Sequence, residues 1–256
     1  MKINTVALVG FGAIGCVYAK NLNKNLRENF AVIAGGSRGE RIKAAGAVVN
    51  GEKVMPKVVD PNNTDFKADL VIFTVKNYQL QQALTDVKNI VTENTVFLTV
   101  LNGVTARDEI KAFYPDNTAL YGIGMGIDAV RNGGEISCKC EGTIQFGEAE
   151  NKVLSPAVKA VKEVFDLCGV GNEVFDDMIR TIWNKFMINV STNQLSAITG
   201  AGYGDFLKIP QLNKAMHGVM TEVITLANKK GINISEDDAF AYEEKLAGFA
   251  PKGQTS

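Results

Sequence analysis

Hydrophobic and polar positions follow two regimes along this chain. In the first, short apolar runs stand apart: Thr5 to Val9, Phe30 to Ala34, Asp69 to Val75 and Thr95 to Val100. Such runs, rich in β-branched and aromatic residues, fit strands buried on both faces. Helical patterns follow those at Thr5, Asp69 and Thr95, and the βα alternation predicts a parallel sheet. After Tyr121 the chain becomes glycine-rich and alternating, through Gly122-Ile123-Gly124-Met125-Gly126, Arg131-Asn132-Gly133-Gly134 and Gly142-Thr143-Ile144-Gln145-Phe146-Gly147. This predicts an antiparallel extension of the sheet with an Asn-Gly-Gly hairpin turn. An amphipathic helix from Pro156 to Leu167 closes the region, and Gly169 to Phe175 leads out of it. The second regime is helical: Asp177 to Ile198, then Pro210 to Lys230 after a glycine-rich break, then Glu236 to Leu246. The expectation is an α/β domain over 1–172 followed by an all-α domain over 173–256.

The first strand runs into Gly10-Phe11-Gly12-Ala13-Ile14-Gly15, which opens a helical pattern through Val17, Tyr18 and Leu22. Strand, glycine turn and helix in this order are the dinucleotide-binding fingerprint of a Rossmann-type domain. Gly10 permits the tight turn, Gly12 lets the backbone approach a pyrophosphate, and Gly15 lets the helix pack closely on the strand. Amides and the dipole at the helix start hold the phosphate. A glycine-rich loop without a ligand is the alternative.

The end of the second strand chooses the cofactor. An NAD site usually carries Asp or Glu there, whereas this sequence reads Ile33-Ala34-Gly35-Gly36-Ser37-Arg38-Gly39. The Ser37 hydroxyl and the Arg38 guanidinium match a 2′-phosphate, so NADP(H) is favoured; Arg41 could share the role, or these side chains could simply be solvated. Lys76-Asn77 and Asn102-Gly103 follow the next two strands and fall at the carboxyl edge, where open α/β sheets bind ligands. Taken singly, each also reads as an ordinary solvated turn.

The stretch Trp183 to Gly200, WNKFMINVSTNQLSAITG, forms an amphipathic helix with Trp183, Phe186, Met187 and Val190 on its apolar side. Lys185, Asn189 and Asn193 recur every four residues, about 40° apart around the axis, and make one polar stripe. By itself such a stripe reads as a solvated face. Asparagine, however, is a mediocre helix former with a directional amide, and amides around one cation suit a polar cavity. The helix opens the second domain, so the stripe is expected to face the cofactor domain across a cleft.

Composition narrows the partners. The chain has 256 residues, 46% of them hydrophobic, enough for a real core. With 27 basic and 28 acidic side chains it offers no nucleic-acid or anionic-membrane surface, and small-molecule chemistry is expected. Cys16, Cys138, Cys140 and Cys168 are scattered, without a second pair to complete a metal site, and read as free thiols. MKINTVALVG runs into a strand with no charged leader, and no apolar run reaches the roughly 18 residues that span a bilayer. A cytoplasmic protein is expected. His217 lies mid-helix and reads as a packing or solvent-facing residue.

Together, GFGAIG at the start, Val75-Lys76, Leu101-Asn102-Gly103 and the spacing W-x-K-x-x-x-N-x-x-x-N from Trp183 to Asn193 resemble the ketopantoate reductase family along essentially the whole chain. The resemblance implies NADPH-dependent reduction of 2-dehydropantoate to (R)-pantoate, on the way to pantothenate and coenzyme A. It makes Lys185 the catalytic lysine, Asn189 and Asn193 substrate-contacting amides, Asn102 an organiser of lysine and substrate, and Lys76 a cofactor-side lysine. The physical roles agree: hydride reduction of a 2-oxo acid needs a cation that stabilises and then protonates the alkoxide.

The sequence departs from the family at its end. The family continues past a Ser-Met segment to a helix bearing a substrate-binding or catalytic Glu, whereas this sequence stops at Lys252-Gly253-Gln254-Thr255-Ser256. Ser256 aligns with the family's substrate-binding serine, the second domain is shortened, and the chain as given is expected to be less active than an extended one. Two other readings stand beside this one: an NADP-dependent reductase of another small 2-oxo or 3-hydroxy acid, and a non-catalytic NADP-binding regulator. A homodimer is compatible with an exposed helical domain that needs a partner surface.

Overall fold

The computed structural model describes residues 1–248, so Ser256 lies outside the described residues. The chain divides into two compact units, Met1–Met178 and Ile179–Ser256. In the first, β1 (Val6–Val9) turns into α1 (Ala13–Leu26), followed by β2 (Phe30–Ile33) and α2 (Gly36–Ala45). Short strands β3 (Ala47–Val49), β4 (Glu52–Val54) and β5 (Lys57–Val59) come next. Then follow β6 (Leu70–Phe73), α3 (Leu80–Asp86), β7 (Val96–Thr99), α4 (Ala106–Phe113) and β8 (Ala119–Met125). The unit ends with β9 (Asp128–Asn132), β10 (Glu135–Cys140), β11 (Thr143–Gly147), α5 (Pro156–Cys168) and β12 (Asn172–Glu173).

Eight strands form one sheet in the order β12-β11-β8-β7-β6-β1-β2-β5. All neighbours are parallel except β8 and β11. The apolar runs are continuous because helices cover both faces. Along β1, Val6 and Leu8 join one core cluster with Cys16, Val17 and Leu22 of α1 and Val161 and Phe165 of α5. Ala7 and Val9 join the opposite cluster with Leu80 and Leu84 of α3 and Ile110 of α4. The period-two side-chain alternation of a strand thus feeds two cores at once.

The hairpin departs from expectation. Rather than extending the main sheet, β9 and β10 pair with β3 and β4 in a separate four-stranded sheet, in the order β4-β3-β10-β9. The chain leaves the main sheet at Gly126 (φ 68°) and re-enters it at Gly142 (φ 63°), a conformation open to glycine at low cost. A Cβ at Gly142 would lie 2.3 Å from the Met125 carbonyl oxygen. Asn50 welds the small sheet by presenting its amide like a strand backbone. It accepts from Cys138 N–H at 2.8 Å and donates to the Cys138 carbonyl at 2.7 Å.

The helix α6 (Met178–Thr199) leads into the second unit, which continues with α7 (Tyr203–Lys208), α8 (Pro210–Lys229) and α9 (Glu236–Leu246). The short α7 occupies what the sequence suggests is only a glycine-rich break. Pro210 opens α8 at a position that needs no backbone donor. Asp238 accepts from Ser235 N–H at 2.9 Å at the start of α9 and binds Arg180 of α6 at 2.6 Å, tying the two helices. Met187, Phe206, Met216, Met220 and Leu246 are buried between the helices. The four cysteines are free thiols.

Candidate functional site

Strand order places the glycine turn. From β1 the chain steps to β2 on one side, while β6, β7 and β8 lie on the other, so strand order reverses between β1 and β6. Ligands of open α/β sheets bind at the carboxyl ends beside such a reversal. The parallel register aligns Val9 with Ile33 and with Phe73, and Phe73 with Thr99, bringing Gly10, Thr74 and Val100 to one edge. Thr74 Oγ1 donates to the Gly10 carbonyl at 2.6 Å and holds the turn.

The three motif glycines differ in what they do. Gly10 has φ 106°, and a Cβ there would sit 2.8 Å from the Thr74 backbone. A Cβ on Gly15 would meet the Gly10 carbonyl oxygen at 1.9 Å, so this glycine lets α1 approach β1. A Cβ on Gly12 would meet no atom of the described residues within 4 Å. Packing among the described residues therefore leaves room for a side chain at 12, whereas a phosphate brought to the amides at the start of α1 would not. Ala13 and Ile14 form the first turn of α1, with no acidic side chain to compete with an anion. The turn fits a dinucleotide.

Ser37 and Arg38 lie in the first turn of α2, whose N-cap is Gly35. Arg38 borders two cavities. One, of about 280 Å³, is lined by Val9, Gly10, Ile33, Ala34 and Gly35, with Val75 and Tyr78 opposite. The other, of about 620 Å³, lies beside Phe11 and Gly12 and is lined also by Arg41 and Arg131. Sequence reasoning misses Thr74, Tyr78 and Arg131, because they are distant in sequence from the motif. It also misses Asp60, at the end of the neighbouring β5: a Cβ on Gly35 would lie 3.2 Å from Asp60 Oδ2. The other oxygen of Asp60 accepts from Asn62 N–H at 2.9 Å.

At the same carboxyl edge, Lys76 and Asn102 are exposed just beyond β6 and β7. The Lys76 N–H donates to Gln79 Oε1 at 3.2 Å, which fixes its backbone at the start of a short 3-10 turn.

In the second unit, Lys185, Asn189 and Asn193 lie on successive turns of α6, half-buried. The opposite side carries buried Trp183 and Met187, with Phe186 edge-on to Trp183 at 5.8 Å. Burial lowers the Lys185 pKa from its ordinary value, and no carboxylate pairs with it among the described residues. Asn193 Oδ1 accepts from Thr192 Oγ1 at 3.3 Å. His217 binds Glu243 Oε2 at 2.9 Å, and Asn213 donates to the other oxygen at 2.6 Å. This group ties α8 to α9. Among the described residues no cluster of His, Cys, Asp and Glu could hold a metal ion, and no helix is long and apolar enough to cross a membrane.

Comparison with known proteins adds to this geometry. Residues 6–151 match the family described as Ketopantoate reductase PanE/ApbA, and residues 177–256 match its C-terminal counterpart. The 2-dehydropantoate 2-reductase of Streptococcus pyogenes serotype M3 is 22% identical over 240 residues, covering 93% of this chain and 78% of that protein. The crystal structure of 2-dehydropantoate 2-reductase from Methylococcus capsulatus superposes with a TM-score of 0.83 at 22% identity, over 98% of this chain and 82% of that one. A D-mandelate dehydrogenase in a ternary structure with NADH and anilino(oxo)acetate gives 0.84 at 22% identity, over 97% and 81%. A Rossmann-like parallel sheet with a helical C-terminal region is common to the fold. With the match extending over more than half its length, this chain belongs to the ketopantoate reductase PanE/ApbA family, oxidoreductases that use a nicotinamide dinucleotide.

Proposed function

We propose that this chain reduces 2-dehydropantoate to (R)-pantoate with NADPH, in the cytoplasm, on the route to pantothenate and coenzyme A. The observation that carries the reading is Lys185: a half-buried lysine without a carboxylate partner among the described residues, in one stripe with two amides. Bound NADPH supplies the hydride that adds to the carbonyl carbon of the substrate. Lys185 donates a hydrogen bond to the carbonyl oxygen, stabilises the negative charge that develops there, and passes its proton to it. A lowered pKa makes that ammonium a better acid. Asn189 and Asn193 orient the substrate carboxylate and hydroxyl without adding a charge, and Ser256 joins them in binding substrate. Gly10, Phe11, Gly12, Ala13, Ile14 and Gly15 hold the pyrophosphate, Ser37 and Arg38 the 2′-phosphate, and Lys76 and Asn102 the nicotinamide side of the cofactor.

A second cofactor reading has one observation in its favour. The Asp60 carboxylate beside Gly35 resembles the acid that accepts from ribose hydroxyls in NAD sites. The arginines outweigh it: Arg38, Arg41 and Arg131 line the adjoining cavity with positive charge, and one of the two Asp60 oxygens is already engaged by Asn62.

The test is loss of NADPH absorbance with 2-dehydropantoate, 2-oxoisovalerate or no 2-oxo acid, repeated with NADH and with Lys185→Ala. Turnover with 2-dehydropantoate that collapses in the variant is expected. Equal kcat/KM for 2-oxoisovalerate moves the substrate to another 2-oxo acid, and NADPH binding without turnover makes the chain a non-catalytic regulator.

A further inference from the structure

Three arginines border the cavity of about 620 Å³ beside the glycine turn: Arg38 and Arg41 from α2, and Arg131 from β9. All three are exposed, and none pairs with a carboxylate among the described residues. Like charges gathered without a counter-ion repel one another, and an anion in the cavity relieves that repulsion.

Arg131 is held in place rather than free to drift. Its Nη1 donates to the Phe11 carbonyl at 2.6 Å and its Nε to the Gly133 carbonyl at 2.8 Å. A guanidinium has five N–H donors, so three remain without a partner among the described residues. The hairpin that carries it is itself fixed, by Gly133 at φ 61° and by the Asn50 clasp on Cys138. Arg131 and Arg38 line the same cavity although they come from different elements, the hairpin and α2. Arg38 also borders the smaller cavity at Ile33 to Gly35, where the adenosine ribose of a dinucleotide rests in this fold class.

We propose that Arg131 determines cofactor specificity: from the hairpin it completes, with Arg38 and Arg41, a guanidinium clamp on the 2′-phosphate of NADP(H). The inference rests on the NADPH reading above. The pyrophosphate is a second phosphate source, but amides at the glycine turn already serve it, and three guanidinium groups around one cavity, with Arg38 bordering the ribose edge as well, match a terminal dianion. The clamp joins a fold-wide motif to a ribbon more than a hundred residues later, and Arg131 also anchors that ribbon to the motif through Phe11.

The experiment is fluorescence titration of the full chain with NADPH, NADH and adenosine 2′,5′-bisphosphate, comparing wild type, Arg131→Ala and Arg131→Lys. Arg131→Ala is expected to weaken NADPH and the bisphosphate about tenfold or more and to leave NADH within about twofold. Arg131→Lys recovers part of the loss, because charge returns without the fork. Equal loss for NADPH and NADH overturns the clamp and leaves Arg131 acting only through the glycine turn, and no loss for either also overturns it. Wild type that binds NADH as tightly as NADPH sinks the cofactor reading and the clamp together. Wild type that prefers NADPH while the variant keeps that preference sinks the clamp alone. Should Arg131→Ala lower the melting temperature, Arg41→Ala, which touches no turn carbonyl, makes the same test: unchanged NADPH affinity overturns the three-arginine clamp.

Discussion

The glycine turn and the polar stripe of α6 are built in opposite ways. At the turn, the proposed binding groups are backbone amides, and the residues matter for the side chains they lack. Gly15 is required by the protein's own packing, whereas Gly12 has room for a side chain and its proposed requirement comes from the ligand. On α6, the proposed site is made of side chains on a regular helix: Lys185, Asn189 and Asn193 offer a cation and two amides. Backbone sites tolerate no added atoms, whereas side-chain sites tolerate no lost ones. The perturbations that separate them therefore run in opposite directions, one adding a methyl group and the other removing an amine.

Removing the amine has the largest expected effect. Lys185→Ala is expected to lower kcat about 10²- to 10⁴-fold, the usual worth of a positioned general acid, with NADPH affinity unchanged by fluorescence titration. The wild-type pH profile adds a sign. Burial disfavours the ammonium, so the proton leaves at a pH below the ordinary lysine value, and kcat falls as pH rises through that lowered pKa. A profile flat to the ordinary lysine value contradicts the assignment.

Adding a methyl group at Gly15 comes next. Its Cβ would press on the Gly10 carbonyl at 1.9 Å and on Thr74 Oγ1 at 2.7 Å, forcing α1 away from β1. Gly15→Ala is expected to cost about 1–3 kcal/mol of stability, read by chemical denaturation, and to abolish NADPH binding. The same methyl group at Gly12 has open space, so Gly12→Ala is expected to unfold like wild type while binding NADPH about tenfold more weakly, equivalent to about 1.4 kcal/mol. Equal destabilisation by both substitutions removes the distinction between a packing glycine and a ligand glycine.

Legibility in the sequence follows the same division. The turn is a local pattern, and the strand, glycines and helix were readable because β1 is buried on both faces and α1 starts within four residues of its end. Helix α9 runs over the predicted Glu236 to Leu246 for a similar reason: Ser235 caps it and three acids fill its first turn. The hairpin's departure into a second sheet was hidden, because it depends on two glycine bends and on Asn50 meeting Cys138 across 88 residues. Thr74, Asp60 and Arg131 stayed invisible as site residues for the same cause. Each reaches the turn or the end of β2 through parallel register or a distant ribbon, and neither leaves a periodic trace. The spacing of the α6 stripe was plain, but spacing alone does not separate a solvated face from a half-buried one.

The smallest expected effect also distinguishes the two regions, because it asks what the stripe does to the fold. Burial lowers the Lys185 pKa in the folded state, so the native protein holds the charged form less well than the unfolded chain does. The resulting destabilisation is fully present below the lowered folded pKa. It fades as pH rises from there through the unfolded value of about 10.4, above which the lysine is neutral in both states. Lys185→Met keeps the chain length of the side chain and removes the charge, so at pH 7 its melting temperature is expected to rise by about 2–4 °C, the shift from roughly 1 kcal/mol in a protein of this size. The gain should vanish above about pH 10.4. No comparable gain is available at Gly12, where the fold is indifferent, or at Gly15, where it is not. A Lys185→Met melting temperature equal to wild type at pH 7 means the ammonium remains hydrated, and the stripe is then a solvated face after all.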